Sequence, residues 1–148
     1  MIVDLLRNDL GRVCTPGSIR VPQLCQLESY PNVHHLVSVV QGQLAAQHSP
    51  LSLLTAAFPG GSITGAPKIR AMQIIDELEP CQRSVYCGSL GYIDVRGSMD
   101  TSIAIRTMVA DDGALHVWGG GGLVADSKAD EEYTETLDKI RHLIDALE

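Results

Sequence analysis

Apolar residues recur at helical spacing at the start of the sequence. Ile2, Leu5, Leu6 and Leu10 occupy positions i, i+3, i+4 and i+8, which places them on one face of a helix closed by Gly11. No N-capping Ser, Thr, Asp or Asn precedes this pattern. We therefore expect the helix to begin upstream of residue 1, in a chain that corresponds to the C-terminal piece of something larger.

The next segments alternate between strand and helix patterns. Residues 33–44 are rich in Val, Leu and His, which is typical of a strand. Ser49 and Pro50 form an N-cap and a first-turn proline, so a helix is expected from there until Pro59. A loop over residues 60–68 follows. Between Pro67 and Pro80, helical spacing returns in a second amphipathic helix, with apolar positions Ile69, Met72, Ile75 and Leu78.

The second half predicts three strands and a long helix. Residues 84–95, 101–110 and 114–118 have strand character, and Asp112-Gly113 is a strong hairpin turn, so we expect a three-stranded meander. Four glycines at 119–122 follow, and Ser127 with Asp130 resembles a capping box. The buried side of the closing helix is expected at Tyr133, Leu137, Ile140, Ile144 and Leu147.

These patterns predict an α+β fold in which an antiparallel sheet is layered with helices, rather than a parallel doubly wound sheet. The 148 residues, 45% of them apolar, fit one domain over 1–148. The net charge is −7, from 11 basic and 18 acidic residues, so no nucleic-acid partner is expected. A long apolar run and a signal peptide are both missing, which favours a cytoplasmic protein without a membrane partner.

Two weak patterns near the closing helix have alternative interpretations. Glycines 119–122 allow either a tight turn or a close approach of an anionic ligand to backbone N–H groups. Glu132 and Glu135, with Glu131 beside them, form either a solvated acidic face partly compensated by Lys139 or a Mg²⁺ site. A glycine-lined anion pocket beside these carboxylates would make the metal interpretation coherent.

Other polar residues stand out by their surroundings. Arg106 ends an apolar strand-like run, so a buried position would demand either a carboxylate ligand or an internal Asp or Glu. The loop over residues 60–68 is not a Walker A motif, because Pro67 precedes Lys68 and no Ser or Thr follows that lysine. His34 and His35 are adjacent on a strand and face opposite ways.

Long motifs in this chain resemble the chorismate-utilising enzymes. Residues 61–68 and 86–92 resemble the aminodeoxychorismate branch of that family more closely than the anthranilate synthase branch. The matching motifs extend from end to end of the chain: residues 1–5, 7–13, 33–38, 61–68, 70–72, 76–80, 99–107, 120–127 and 132–136.

The resemblance implies a Mg²⁺-assisted amination of chorismate to 4-amino-4-deoxychorismate for folate synthesis, with ammonia from a glutaminase (amidotransferase) subunit. His35 would be a catalytic residue that faces the ring, and Glu135, with Glu132 beside it, would hold Mg²⁺. Substrate-binding roles are implied for a larger set: Tyr86 and Arg106 at the enolpyruvyl carboxylate, and Gly120, Gly121, Gly122, Ser62 and Thr64 around the pocket.

The sequence also departs from the family pattern. A longer N-terminal part, with another Mg²⁺ glutamate, a general-acid glutamate and, in the aminodeoxychorismate branch, a nucleophilic lysine, precedes this region in the family. The resemblance therefore implies that residues 1–148 are the C-terminal portion of a chorismate-binding domain whose N-terminal portion is absent, and we expect the isolated chain to be inactive. Trp118 stands where the family usually has a small residue. Two alternatives are an anthranilate synthase component of tryptophan biosynthesis and an inactive truncated remnant.

Overall fold

The computed structural model describes residues 1–30 and 33–147, which divide into two compact units. The first unit comprises Met1–Pro80 and Ile93–Met99, and the second comprises Cys81–Tyr92 and Asp100 onward. No helix in the described part of the chain is long and apolar enough to cross a membrane. The helices are α1 (Ile2–Gly11), α2 (Pro50–Ala57), α3 (Gly61–Thr64), α4 (Lys68–Leu78) and α5 (Ala129–Asp145); the strands are β1 (Arg20–Tyr30), β2 (Val33–Gln41), β3 (Ser89–Ile93), β4 (Met99–Ile103), β5 (Met108–Asp111) and β6 (Ala114–Val117).

The mixture of helices and short strand pairs confirms the α+β class. Within the described residues the strands form three two-stranded sheets, β1–β2, β3–β4 and β5–β6, and the first and last of these are antiparallel. The expected three-stranded meander is therefore wrong. Arg106 interrupts it, because its left-handed backbone (φ 52°) ends the strand pattern between β4 and β5. The predicted turn is confirmed, since Asp112 and Gly113 both have positive φ and join β5 to β6.

The β1–β2 hairpin is the largest strand pair of the first unit. Its register pairs Leu27 with Leu36 and Glu28 with His35. The β2 prediction is confirmed except that the strand ends at Gln41 rather than Leu44, whereas β1 was not predicted at all. Two register shifts break the alternation of β1, and Cys25 has a positive φ within it, so the two-residue period is lost. Pairing with β2 supplies the stability that the local pattern does not indicate.

The helices of the first unit follow the predicted pattern closely. Ser49 caps α2, accepting a hydrogen bond from the Ser52 backbone at 3.2 Å, while the Ser52 hydroxyl accepts one from the Ser49 backbone. The expected amphipathic α4 starts directly after Pro67. The segment 60–68, expected to be a loop, instead contains the one-turn helix α3. The helix α1 is present, although Gly11 is its last residue and not a left-handed cap, since Arg12 continues with φ −75°.

The closing helix α5 is present, but its start and its buried face differ from expectation. The predicted capping box is absent, because Lys128 is the N-cap residue and no side chain caps it. Ile140 is buried as predicted, whereas the other four predicted residues, Tyr133, Leu137, Ile144 and Leu147, are exposed. The packed face of α5 is rotated from the predicted one, since its less exposed residues are Glu132, Thr136, Lys139, Ile140 and Leu143. Atoms of Thr136 and Ile140 lie 3.0 and 3.1 Å from the point that a β-carbon on Gly119 would occupy. The buried apolar residues of the two units are Val13, Cys14, Cys87, Ala104 and Ile140.

Candidate functional site

The glycine segment of the second unit packs closely against two other elements. A β-carbon on Gly120 would lie 2.6 Å from the Tyr86 hydroxyl, and one on Gly121 would lie 3.0 Å from Glu132 Oε2. Neither glycine has a positive φ, so close approach, rather than a special backbone conformation, requires the absence of a side chain. No atom lies within 4 Å of a β-carbon built on Gly122. We call Tyr86, Gly120, Gly121, Glu132 and Glu135 the glycine cluster.

The two carboxylates of the glycine cluster have different partners. Glu132 is half-buried and accepts a hydrogen bond from the Ser127 hydroxyl, which itself accepts one from the Val124 backbone at 3.0 Å. Glu135 is 57% exposed and forms an ion pair of 2.6 Å with Lys139. The Lys139 ammonium also donates to the Gly120 carbonyl at 3.4 Å. The ion pair between Glu135 and Lys139 that the i,i+4 spacing predicts is thus confirmed. Lys139 also links α5 to the glycine segment through its hydrogen bond to Gly120.

A short turn before β3 positions Tyr86. The Tyr86 backbone N–H donates to the Arg83 carbonyl at 2.8 Å, and the Arg83 guanidinium lies 6.0 Å from the Tyr86 ring centroid. The two residues after Tyr86 are hydrogen-bonded to the backbone of Ala104. The Cys87 N–H donates to the Ala104 carbonyl at 2.8 Å, and the Ala104 N–H donates to the Gly88 carbonyl at 3.0 Å. These contacts fix the ring that faces Gly120.

Arg106 does not have the environment expected from its sequence. It was predicted on a mostly buried strand, but it lies between β4 and β5 and is exposed. The run before it is less buried than its apolar composition suggests, since Ile103 is 38% and Ile105 48% exposed, and the strand pattern ends before Arg106, whose backbone is left-handed. Within residues 1–30 and 33–147 the guanidinium makes no hydrogen bond or ion pair. An internal Asp or Glu partner, one of the two alternatives, is therefore not present in the described part of the chain.

The remaining predicted residues belong to the first unit. His35 is exposed on β2, and its ring centroid lies 5.8 Å from that of Tyr30 in an edge-on arrangement. The Tyr30 hydroxyl donates to the Glu28 carboxylate at 2.9 Å, and this hydrogen bond, with the negative charge of Glu28, raises the pKa of Tyr30. His34 instead contacts the Ser29 hydroxyl at 2.9 Å, which confirms that the adjacent histidines face opposite ways.

Ser62 and Thr64 both lie on α3 and are half-buried. The Thr64 hydroxyl donates to the Gly60 carbonyl at 3.0 Å, so it is committed to its own helix turn. The two predicted residues thus lie together on one short helix, which is separated from the end of α2 by three residues.

A buried ion pair beside α3 was missed by reasoning from the sequence. Asp9 is 3% exposed, and its Oδ1 lies 2.7 Å from the Lys68 ammonium. Its Oδ2 accepts a hydrogen bond from the Gly61 backbone N–H at 2.9 Å. A signal was present, because Asp9 is four residues after Leu5 and therefore lies on the apolar face of α1. A charged residue on such a face demands a buried partner.

The donor set for a metal ion is small. No group of three or more His, Cys, Asp or Glu side chains that could hold a metal is found among the described residues. Glu132 and Glu135 are one turn apart on α5, and two carboxylates completed by water and ligand oxygens match the needs of Mg²⁺.

Comparison with known proteins identifies the family. The model of the chorismate binding enzyme family matches residues 1–145, and the chain belongs to that family. Aminodeoxychorismate synthase component 1 from Klebsiella aerogenes is 58% identical over all of this chain, which covers 33% of that protein. Anthranilate synthase component 1 from Streptomyces coelicolor is 52% identical over 99% of the chain and 29% of its own length.

A solved structure agrees with these sequence matches. Anthranilate synthase component I from Streptococcus pneumoniae superimposes with a TM-score of 0.87 at 45% identity. The match covers 95% of this chain and 32% of that one. The chain therefore spans about a third of the length of the relatives that it matches.

Proposed function

We propose that this chain forms part of an enzyme that aminates chorismate to 4-amino-4-deoxychorismate, using glutamine-derived ammonia from a glutaminase subunit. The observation that carries the proposal is the glycine cluster, in which Gly120 and Gly121 are backed by Tyr86 and Glu132 with no room for a side chain. This packing brings a phenol hydroxyl and a carboxylate to one glycine segment, and carboxylates are ligands that Mg²⁺ accepts. The 58% identity to an aminodeoxychorismate synthase component supports this branch.

Arg106 and Tyr86 are assigned to the enolpyruvyl carboxylate of chorismate. The exposed guanidinium of Arg106, unpaired within the described residues, offers a planar pair of donors that suits a carboxylate ligand. The Tyr86 hydroxyl adds a third donor, and its ring is held by the turn at Arg83. Together they bind and orient one end of the substrate.

Glu135 and Glu132 are assigned to Mg²⁺. The metal, when bound, would neutralise the ring carboxylate of the substrate and stabilise loss of the hydroxyl group. Glu135 is exposed enough to reach a ligand, and its carboxylate already balances one cation, Lys139. Glu132 is oriented by the Ser127 hydroxyl, so one of its oxygens has a fixed direction.

As the family resemblance implies, we assign His35, Ser62 and Thr64 of the first unit to binding the ring of the substrate. His35 is held against the Tyr30 ring, so it is oriented before any ligand arrives. The Ser62 hydroxyl is the more available of the two on α3, because the Thr64 hydroxyl already donates to the Gly60 carbonyl. We therefore expect Ser62 to contribute more than Thr64 to substrate binding.

A second candidate function is that of anthranilate synthase, which uses chorismate as well. The observation in its favour is the 52% identity to the Streptomyces coelicolor relative, together with the close structural match. The two functions differ in product and can be separated only by identifying that product. An inactive remnant is the third alternative.

A hybrid enzyme tests the proposal, because this chain covers a third of the Klebsiella aerogenes relative. In the hybrid, this chain replaces the matching third of that relative, and the hybrid is supplied with chorismate, Mg²⁺ and ammonia. Chromatography should detect 4-amino-4-deoxychorismate. Anthranilate as the product would favour the second candidate function, and no product from a folded hybrid would favour an inactive remnant. The unmodified relative serves as the positive control.

A further inference from the structure

Asp9 and Lys68 form a buried charge pair that the proposed function does not use. The side chain of Asp9 is 4% exposed and that of Lys68 14% exposed, and their charged atoms are 2.7 Å apart. Each partner has a second contact: Asp9 accepts the Gly61 backbone N–H at 2.9 Å, and the Lys68 ammonium donates to the Ala57 carbonyl at 3.0 Å. We call this arrangement the helix clamp.

The helix clamp ties together the ends of four helices. Asp9 lies in the last turn of α1, Ala57 ends α2, Gly61 starts α3 and Lys68 starts α4. The fit is tight, since a β-carbon on Gly61 would lie 3.1 Å from Asp9 Oδ2 and 3.2 Å from Leu5 Cβ. The Asp9 carboxylate thus links the start of α3 to α1, and the Lys68 ammonium links that carboxylate to the end of α2.

A buried ion pair of this kind is expected to add little to the free energy of unfolding. Burying two charges costs desolvation energy that their attraction repays only in good geometry, and apolar residues of similar volume often serve as well. What a buried pair with directed hydrogen bonds supplies is a defined arrangement of the backbone around it. Here the backbone that it arranges is the start of α3, directly before Ser62.

We propose that Asp9 and Lys68 are positioning residues that set the place of α3, and through it the Ser62 hydroxyl, for the substrate. This inference rests on the proposed function, since it concerns the substrate of that reaction. Neither residue touches the substrate itself. Removing both charges together leaves the fold intact but displaces α3, so the contribution of Ser62 is lost while that of the glycine cluster is retained.

The first experiment uses the full chain and needs no activity. Hydrogen exchange of the Gly61 amide is compared in the native chain and in the double variant Asp9→Leu with Lys68→Met, which removes the acceptor of that amide and leaves no unpaired buried charge. Asp4→Asn is the matched control, because Asp4 forms an exposed ion pair with Arg7 on the same helix. Exchange should be about tenfold faster in the double variant only. Equal rates in the double variant and the native chain would overturn the clamp.

The second experiment uses the hybrid enzyme and a double-mutant cycle with Ser62→Ala. The charge-free pair and Ser62→Ala should each raise the KM for chorismate about tenfold, with kcat changed less than about twofold. The combined variant should also raise the KM for chorismate about tenfold, because a Ser62 hydroxyl that is already displaced no longer contributes to binding, and its removal then has no further effect. A merely structural pair would give multiplied effects of about a hundredfold, or a KM equal to that of Asp4→Asn, and either result overturns the positioning role.

The two failures are distinguishable. A native hybrid that makes no aminated product contradicts the proposed function, whatever the Gly61 amide does. A native hybrid that is active, but whose cycle is multiplicative, contradicts only the positioning role. Circular dichroism of each hybrid variant shows that it is folded before its KM is interpreted.

Discussion

The Tyr86 hydroxyl lies against the backbone of Gly120, 2.6 Å from the point that a β-carbon would occupy. Real β-carbons do not approach other heavy atoms so closely, so glycine at 120 and tyrosine at 86 depend on each other. The neighbouring Gly122 has open space at the same point. Gly120 therefore leaves no space for a side chain, whereas Gly122 does.

Gly120→Ala should therefore destabilise the protein by about 1–3 kcal/mol, as overpacking does in a filled site. Gly122→Ala is the matched control, and it should be neutral or raise stability by up to about 1 kcal/mol, because alanine reduces the freedom of the unfolded chain. Thermal unfolding of both variants decides. Equal melting temperatures for the two variants would contradict the contact between Tyr86 and Gly120.

The charge of Glu135 is expected to matter to metal binding. Glu135→Gln keeps the size and helix propensity of the side chain but removes the charge, so Mg²⁺-dependent turnover of the hybrid enzyme should collapse. Folding should survive, because the lost ion pair with Lys139 is largely exposed and is worth about 0–1 kcal/mol. Rates titrated against Mg²⁺, with a thermal melt, measure both effects.

Glu131→Gln is the control for this experiment. Glu131 carries the same charge and lies on the same helix, but it is paired at 2.8 Å with Lys128, and not with Lys139, the residue that contacts the Gly120 carbonyl. Its replacement should leave turnover and Mg²⁺ demand unchanged. Near-normal turnover of Glu135→Gln would remove Glu135 from the metal site and would favour the solvated acidic face.

The helices of this protein were predictable because their signals are local. Ser49 and Pro50 mark the start of α2, and the structure has the cap that they indicate. The strands were harder, since β1 has two register shifts and its pairing with β2 is decided by tertiary contacts. The meander failed for a similar reason, because nothing in the apolar run shows that Arg106 adopts a left-handed backbone.

The candidate site was predictable only in part. The glycine run and the acidic pair are visible in sequence, and the structure brings Gly121 and Glu132 into contact. Positioning residues such as Asp9 and Lys68 are harder to recognise in the sequence. The pairing of Asp9 with Lys68 joins positions 59 residues apart, so spacing within one helix could flag Asp9 as unusual but could not identify its partner.

The cap at Ser49 gives a prediction about stability. Ser49→Ala removes the acceptor for the Ser52 backbone N–H, which lies 3.2 Å away, and should cost about 0.5–2 kcal/mol. Ser49→Gly should cost only a few tenths of a kcal/mol, because glycine is itself a tolerable N-cap residue. Chemical denaturation of the three proteins measures the difference. Ser49→Ala with native stability would show that α2 does not depend on its capping box.

The turn between β3 and β4 should lose stability in acid because of Asp94. Its carboxylate accepts hydrogen bonds from the Arg96 side chain and from the backbone N–H groups of Arg96 and Ser98, each at 2.9 Å. The Arg96 side chain first, and the Ser98 backbone next, hold the pKa of Asp94 below its ordinary value. A lowered pKa means that the contacts are fully present above the unfolded pKa and are lost as the pH falls through the lower folded pKa.

A pH titration between about pH 5 and pH 2 tests this expectation. The Asp94 carboxyl resonance in the native protein should titrate below the ordinary value of 3.8, and exchange of the Ser98 amide should accelerate over the same interval. Asp94→Asn, which cannot ionise, should show no such acceleration. If Asp94 titrates at or above its ordinary value, or if the asparagine variant shows the same acceleration, then the carboxylate does not hold the turn. The backbone hydrogen bonds from Asp94 N–H to the Ser98 carbonyl and from Gly97 N–H to the Asp94 carbonyl then hold it without the side chain.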